Sequence, residues 1–128
     1  MFELEGLDHV ALAVRDVECS ADWYVQVLGF ERRYQGMWKG VPVFVARDKT
    51  ALALFPASRD PANPSVPDKR GGMLHLALRA NRENFVAAQR DLTDRGIVFH
   101  FQDHEISHSI YFQDPDGIDL EITTYEIA

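Results

Sequence analysis

"LDHVALAV" (Leu7–Val14) and "MLHLALRA" (Met73–Ala80) are nearly the same phrase, written 66 residues apart in a chain of 128. Each is a short apolar run carrying a histidine, with an alanine two places further on. Side chains alternate between the two faces of a strand. Val10, Leu12 and Val14 therefore share one face, leaving His9, Ala11 and Ala13 on the other. In the second phrase Leu74, Leu76 and Leu78 share a face, opposite His75 and Ala77. The polar ring occupies the same point of what reads as the same strand.

The repetition continues downstream. "DVECSADWYVQVLGF" (Asp16–Phe30) reads as a helix, with Asp16 or Ser20 as its N-cap and Gly29 as its stop. "NRENFVAAQRDLTDRGI" (Asn81–Ile97) reads as its counterpart, capped by Asn81, striped by Phe85, Ala88 and Leu92, and ended at Gly96. "VPVFVARDKTALALF" (Val41–Phe55) is expected to form a hairpin turning at Asp48-Lys49. "SIYFQDPDGIDLEITTY" (Ser109–Tyr125) is expected to form another, turning at Asp114-Pro115-Asp116-Gly117. Between them "PASRDPANPSVPDKRGG" (Pro56–Gly72) holds four of the six prolines and reads as a linker. The expected fold is α+β. Two tandem β-α-β-β-β modules, over about residues 5–56 and 73–125 and joined by a linker over about 57–72, form a concave mixed sheet with helices on its outer face. One module cannot cover its own apolar face, so the whole of 1–128 is expected to be a single domain.

Composition narrows the function. With 46% hydrophobic and 26% charged residues the chain is globular rather than disordered. Its net charge is −7, and no Lys or Arg follows Arg95, which argues against nucleic acid and anionic membrane as partners. No apolar run reaches membrane-span length, no secretory pattern stands at the N-terminus, and a single Cys19 cannot form an intrachain disulfide. A cytoplasmic location is the expectation.

The strand after the second hairpin divides by the same parity. Leu120 and Ile122 point one way, Asp119, Glu121 and Thr123 the other. The faces turned away from the helices thus hold two imidazoles, carboxylates and small residues that leave room. Taken singly, His9 and His75 read as satisfied core histidines and Glu121 as a surface acid. Taken together, two His and one carboxylate are the ligand set of a facial triad, suited to Fe(II) and related divalent metals, with coordination positions left open.

On "DHVAL", "LHLAL" and "IYFQDPDGIDLEI" the chain resembles the vicinal oxygen chelate superfamily, over essentially its whole length. That superfamily includes glyoxalase I, extradiol ring-cleaving dioxygenases, fosfomycin-resistance enzymes and bleomycin-sequestering proteins. The resemblance implies that His9, His75 and Glu121 hold a divalent metal, Fe(II) favoured over Mn(II), Zn(II) or Ni(II). It implies a small-molecule substrate chelated through two adjacent oxygens, and a homodimer.

Within the superfamily, glyoxalase I uses a fourth ligand on the last strand of the first repeat. Here a strict 66-residue offset pairs Glu121 with Phe55, and a two-residue slip selects Ala53. Neither ligates, so both read as pocket residues. Ala11, two places after the first histidine, and the absence of late basic residues demote a phosphonate substrate. The second repeat partly follows the extradiol signature in His104, Ile110-Tyr111, the Asp114–Gly117 turn and Glu121, departing from it at Gln102. Tyr111 and His104 are the expected proton-moving residues, with His108 and Asp119 in the substrate pocket. His100, His104 and His108 also read as solvent-facing members of a polar loop, and Met37 and Trp38 as a pocket cap or a subunit contact. Extradiol-type ring cleavage is the favoured activity. A glyoxalase-type isomerase or lyase and a metal-free small-molecule binder are the alternatives.

Overall fold

Asp16 opens the first helix by folding its carboxylate back onto the chain, where it accepts a 3.0 Å hydrogen bond from the Cys19 amide. In the computed structural model, which describes residues 1–57 and 72–128, that helix is α1 (Val17–Leu28). Glu18 in its first turn complements the positive end of the helix dipole. Gly29 ends it at φ 72°, a left-handed conformation that a residue with a Cβ adopts only with strain. The second helix, α2 (Arg82–Asp94), is built alike, with the Asn81 side chain accepting from the Asn84 amide at 2.9 Å. Both helices start where the caps predict. Neither is long and apolar enough to cross a membrane.

Unit 1 spans Met1–Lys69 and unit 2 spans Arg70–Ala128. Unit 1 holds β1 (Val10–Val14), α1, β2 (Glu31–Arg33), a short 3-10 turn (Trp38–Gly40), β3 (Val43–Arg47) and β4 (Thr50–Pro56). Its sheet order is β1-β4-β3-β2, with β1 parallel to β4 and the rest antiparallel. Unit 2 repeats the plan with β5 (Leu76–Arg79), α2, β6 (His100–Asp103), β7 (His108–Gln113) and β8 (Asp119–Thr124), ordered β5-β8-β7-β6. The expected tandem β-α-β-β-β arrangement is thus two four-stranded mixed sheets, each with its own helix. The proline-rich linker falls mostly outside the described residues.

Burial follows the parity. Leu12, Val14, Val45, Leu52 and Leu54 are buried in unit 1, along with Ala21 and Tyr24 from α1. Ile110, Phe112, Leu120 and Ile122 are buried in unit 2, along with Phe85 and Leu92 from α2.

The histidines differ from expectation in one respect. His9 and His75 stand immediately before β1 and β5 rather than inside them. The parallel ladders begin at Val10↔Leu52 and Leu76↔Leu120, and the partner strands reach their hairpin turns just beyond. A strand without a partner ends.

The ladders also fix the equivalence of the two modules. Ala11 faces Ala53 as Ala77 faces Glu121, so the counterpart of Glu121 is Ala53, 68 residues earlier, and not Phe55. The drift from 66 arises partly in the hairpins. The first turns tightly through Asp48 at φ 51°. The second is longer and is organised by Asp114, whose Oδ1 accepts from the Asp116 and Ile118 amides at 2.8 and 2.9 Å. On β3 and β7, Phe44 faces Ala53 as Tyr111 faces Glu121, which makes Phe44 the counterpart of Tyr111.

Leu54 is fully buried at the centre of the unit 1 sheet. Leu54→Ala is expected to cost about 2–5 kcal/mol of stability, since it opens a cavity in a packed core. Asp16→Ala is expected to cost about 1 kcal/mol through loss of a cap. Urea denaturation of the two variants reads both, and equal effects would contradict this division between core and cap.

Candidate active site

Glu121 is a carboxylate in the middle of a sheet, and only 7% of its surface is exposed. Burying a charge is expensive unless hydrogen bonds or an opposite charge offset it. Both oxygens are engaged. Oε1 lies 2.9 Å from His75 Nε2, and Oε2 accepts a 2.6 Å hydrogen bond from the Ser109 hydroxyl. The Ser109 and Thr123 hydroxyl oxygens are 3.1 Å apart. Strand parity assembles this group: Ser109 and Thr123 are ladder partners, as are Tyr111 and Glu121, and all four share a face with Ala77.

Tyr111 flanks the pair. Its ring meets His75 edge-on at 5.7 Å, and its hydroxyl lies 3.0 Å from His104 Nε2. Burial first, and then the Glu121 charge, push the Tyr111 phenol above its ordinary value. His104 comes from the loop after β6, and His100 faces Tyr111 across the β6–β7 ladder. Asp119, also on the Glu121 face, is exposed and accepts from Gln113 Nε2 at 3.0 Å.

His108 lies apart from this group. It stands opposite Thr124, on the face of Ile110 and Phe112, with its ring 5.1 Å from Phe101 and Nε2 3.7 Å from Asp103. Strand parity puts Ser109 on the site face and turns His108 away, against the expectation that it lines the pocket. Ser109 escapes sequence reading because a serine at a strand start carries no signal by itself. Its parity with Tyr111 and Glu121, two residues apart on paired strands, is the clue that was there to find.

In unit 1, His9 Nδ1 lies 2.7 Å from Asp8 Oδ2, which leaves Nε2 as the ring nitrogen without that partner. The His9 ring meets Phe44 edge-on at 5.1 Å, matching the contact of His75 with Tyr111. Phe44 packs in turn with Tyr34 and Trp38 at 5.4 and 5.3 Å. Ala53 is buried and Phe55 partly exposed, both on the His9 side of the sheet by parity.

Among the described residues, no group of three or more His, Cys, Asp or Glu side chains stands close enough together to hold a metal ion. The donor chemistry of unit 2 nonetheless suits one. An imidazole nitrogen and a carboxylate oxygen at 2.9 Å are two metal donors closed onto each other through a proton. The histidine–carboxylate contact of His9 is the kind of outer contact that orients a ligating imidazole.

The Tyr111 shift has a measurable consequence. The phenolate is the disfavoured form, so in the difference between wild type and Tyr111→Phe its absorbance is expected to rise with a midpoint above that of an ordinary tyrosine. Glu121→Gln removes the neighbouring negative charge, and the Tyr111 midpoint should fall back toward the ordinary value. An unchanged midpoint in Glu121→Gln would dissociate the two groups.

Known proteins bear out the plan. Residues 6–122 match the family described as the Glyoxalase/Bleomycin resistance protein/Dioxygenase superfamily. Glutathione transferase FosA of Serratia marcescens is 27% identical over 98% of this chain and 84% of its own length. Biphenyl-2,3-diol 1,2-dioxygenase 2 of Rhodococcus globerulus is 30% identical over 91% of this chain, which spans 62% of that protein. The crystal structure of lactoylglutathione lyase from Agrobacterium tumefaciens has the same fold, with a TM-score of 0.74 at 21% identity, covering 97% of this chain and 96% of that one. Two capped β-α-β-β-β modules, matched almost end to end, make this chain a member of the Glyoxalase/Bleomycin resistance protein/Dioxygenase superfamily.

Proposed function

We propose that the chain is a metal-dependent enzyme that binds its substrate through two adjacent oxygens and, within that class, an extradiol-type ring-cleaving dioxygenase. The observation that carries the reading is the buried Glu121 carboxylate facing His75 at 2.9 Å, beside the Tyr111–His104 pair. His75 and Glu121 are two of the proposed ligands, and His9, its Nδ1 turned to Asp8, is the third. A bound Fe(II), Mn(II), Zn(II) or Ni(II) ion would polarise two adjacent substrate oxygens and lower their pKa.

The protein's own residues then have separate tasks. Tyr111, its phenol held above the ordinary value, keeps its proton at neutral pH and donates a hydrogen bond to substrate oxygen. His104, exposed and 3.0 Å from the phenol, exchanges that proton with solvent. Ala11, Ala53 and Ala77 line the two sheets with the smallest available side chains and leave room for a flat substrate. The Rhodococcus relative, named as a dioxygenase of a biphenyl diol, agrees in kind. Ala53, the counterpart of Glu121, supplies no fourth ligand, so a glyoxalase-type isomerase or lyase ranks second. A metal-free binder has no need of a buried carboxylate. A homodimer is proposed as the assembly.

The test is anaerobic purification, metal analysis, and O₂ uptake with a catechol panel. About one divalent ion per chain is expected, as one triad provides. His9→Ala, His75→Ala and Glu121→Gln should each weaken it by more than about 100-fold, beyond the usual effect of outer contacts. Full metal retention by all three variants overturns the site, and metal binding without O₂ uptake on any catechol overturns the dioxygenase assignment. Ala53→Glu should tighten metal binding and weaken a bidentate catechol analogue, because it adds a carboxylate and removes an open position. Light scattering should give a dimer mass.

A further inference from the structure

We infer that Ser109 is a positioning residue for Glu121: its hydroxyl holds one carboxylate oxygen so that only the other is presented to a metal. The inference rests on the reading of His75 and Glu121 as ligands. Glu121 Oε2 accepts from Ser109 Oγ at 2.6 Å, the short distance of a charge-assisted bond, while Oε1 faces His75 Nε2 at 2.9 Å. The carboxylate is thereby divided into a held oxygen and an offered one.

Ser109 is fully buried, Thr123 is 9% exposed, and their hydroxyl oxygens are 3.1 Å apart. A serine has one proton to give. With that proton on Glu121, only Thr123 can donate across the 3.1 Å contact, and its one proton is shared between Ser109 Oγ and the His108 carbonyl. Thr123 Oγ1 lies 3.3 Å from that carbonyl, tying the pair to the backbone of β7.

A fully buried hydroxyl is a cost that an alanine or valine at the same strand position would not carry. The duplicated module shows where that cost is avoided. By the register that equates Tyr111 with Phe44 and Glu121 with Ala53, Ser109 corresponds to Pro42 and Thr123 to Phe55. Where the carboxylate is absent, both hydroxyls are absent too. The hydroxyls follow the carboxylate rather than the fold.

A hydroxyl bound to one carboxylate oxygen competes with a cation for that oxygen's lone pairs and so favours coordination through the other oxygen alone. A carboxylate bound in that way would occupy one coordination position instead of two and leave more for a two-oxygen substrate. Ser109 therefore governs how much of the metal's coordination sphere the protein consumes.

The test is Co(II) titration against a competing chelator, with the visible spectrum of the Co(II) protein as a report of coordination, on wild type, Ser109→Thr and Ser109→Val. Threonine and valine match in shape and differ in the hydroxyl. Ser109→Thr should keep the wild-type affinity and spectrum. Ser109→Val should bind Co(II) about 10–100-fold more weakly, as outer-contact losses do, with altered band intensity. Ser109→Ala gives the same reading if the valine variant does not fold. Wild-type affinity and spectrum in Ser109→Val or Ser109→Ala overturn the assignment of Ser109 alone. Equal losses in the threonine and valine variants overturn it in favour of a packing role. Failure of wild type to bind Co(II) overturns this inference together with the ligand reading.

Discussion

The parallel ladder between the first and last strand of each module decides where every site residue stands. It aligns Ala11 with Ala53 and Ala77 with Glu121, and so places the strand carrying the histidine beside the strand that does or does not carry the carboxylate. Strand pairing moves side chains in steps of two, and a one-residue slip would turn Glu121 into the helix-packed core. The apolar residues on the other face forbid that slip. Leu120 and Ile122 are buried because the helix side claims them, and Glu121 is held to the open side between them. The hydrophobic pattern thus fixes the polar site without touching it.

Much of this is legible in the sequence. The caps at Asp16 and Asn81, the stops at Gly29 and Gly96, and the two hairpins follow from local chemistry, and each was read at its place. The face carrying His75 and Glu121 followed from parity, and Tyr111 entered through the partial extradiol signature. What failed was counting through turns. A constant 66-residue offset points to Phe55, whereas the longer, Asp114-organised turn shifts the match to Ala53. Turn length is a local matter that a repeat count cannot see. His108 was misplaced for a related reason, since grouping three histidines by proximity in sequence ignored the alternation along β7.

The modules share a plan and differ in what they bury. In unit 2 the site face holds His75, Glu121, Ser109 and Tyr111, linked by short polar contacts. In unit 1 the matching ladder positions hold Ala53 and Phe44, Pro42 stands just before β3, and the ring of His9 rests against an aromatic cluster. The edge-on contact of imidazole with an aromatic ring recurs in both, so it belongs to the shared scaffold. The hydroxyl that distinguishes Tyr111 from Phe44 is not needed for that ring contact, and it meets His104 Nε2 at 3.0 Å instead.

That difference has an energetic logic. A polar site built from a buried carboxylate needs every oxygen engaged, because an unsatisfied buried charge is far more costly than an apolar substitute. Unit 2 meets this demand with two hydroxyls and an imidazole, and the same demand makes the group hard to alter one residue at a time. Unit 1 carries alanine and phenylalanine at the corresponding positions and incurs no such cost. Among the described residues, the buried polar network around a carboxylate therefore stands in the second module. Unit 1 instead sets the His9 imidazole 2.7 Å from Asp8 and edge-on to Phe44, with small and aromatic side chains on the same face of its sheet.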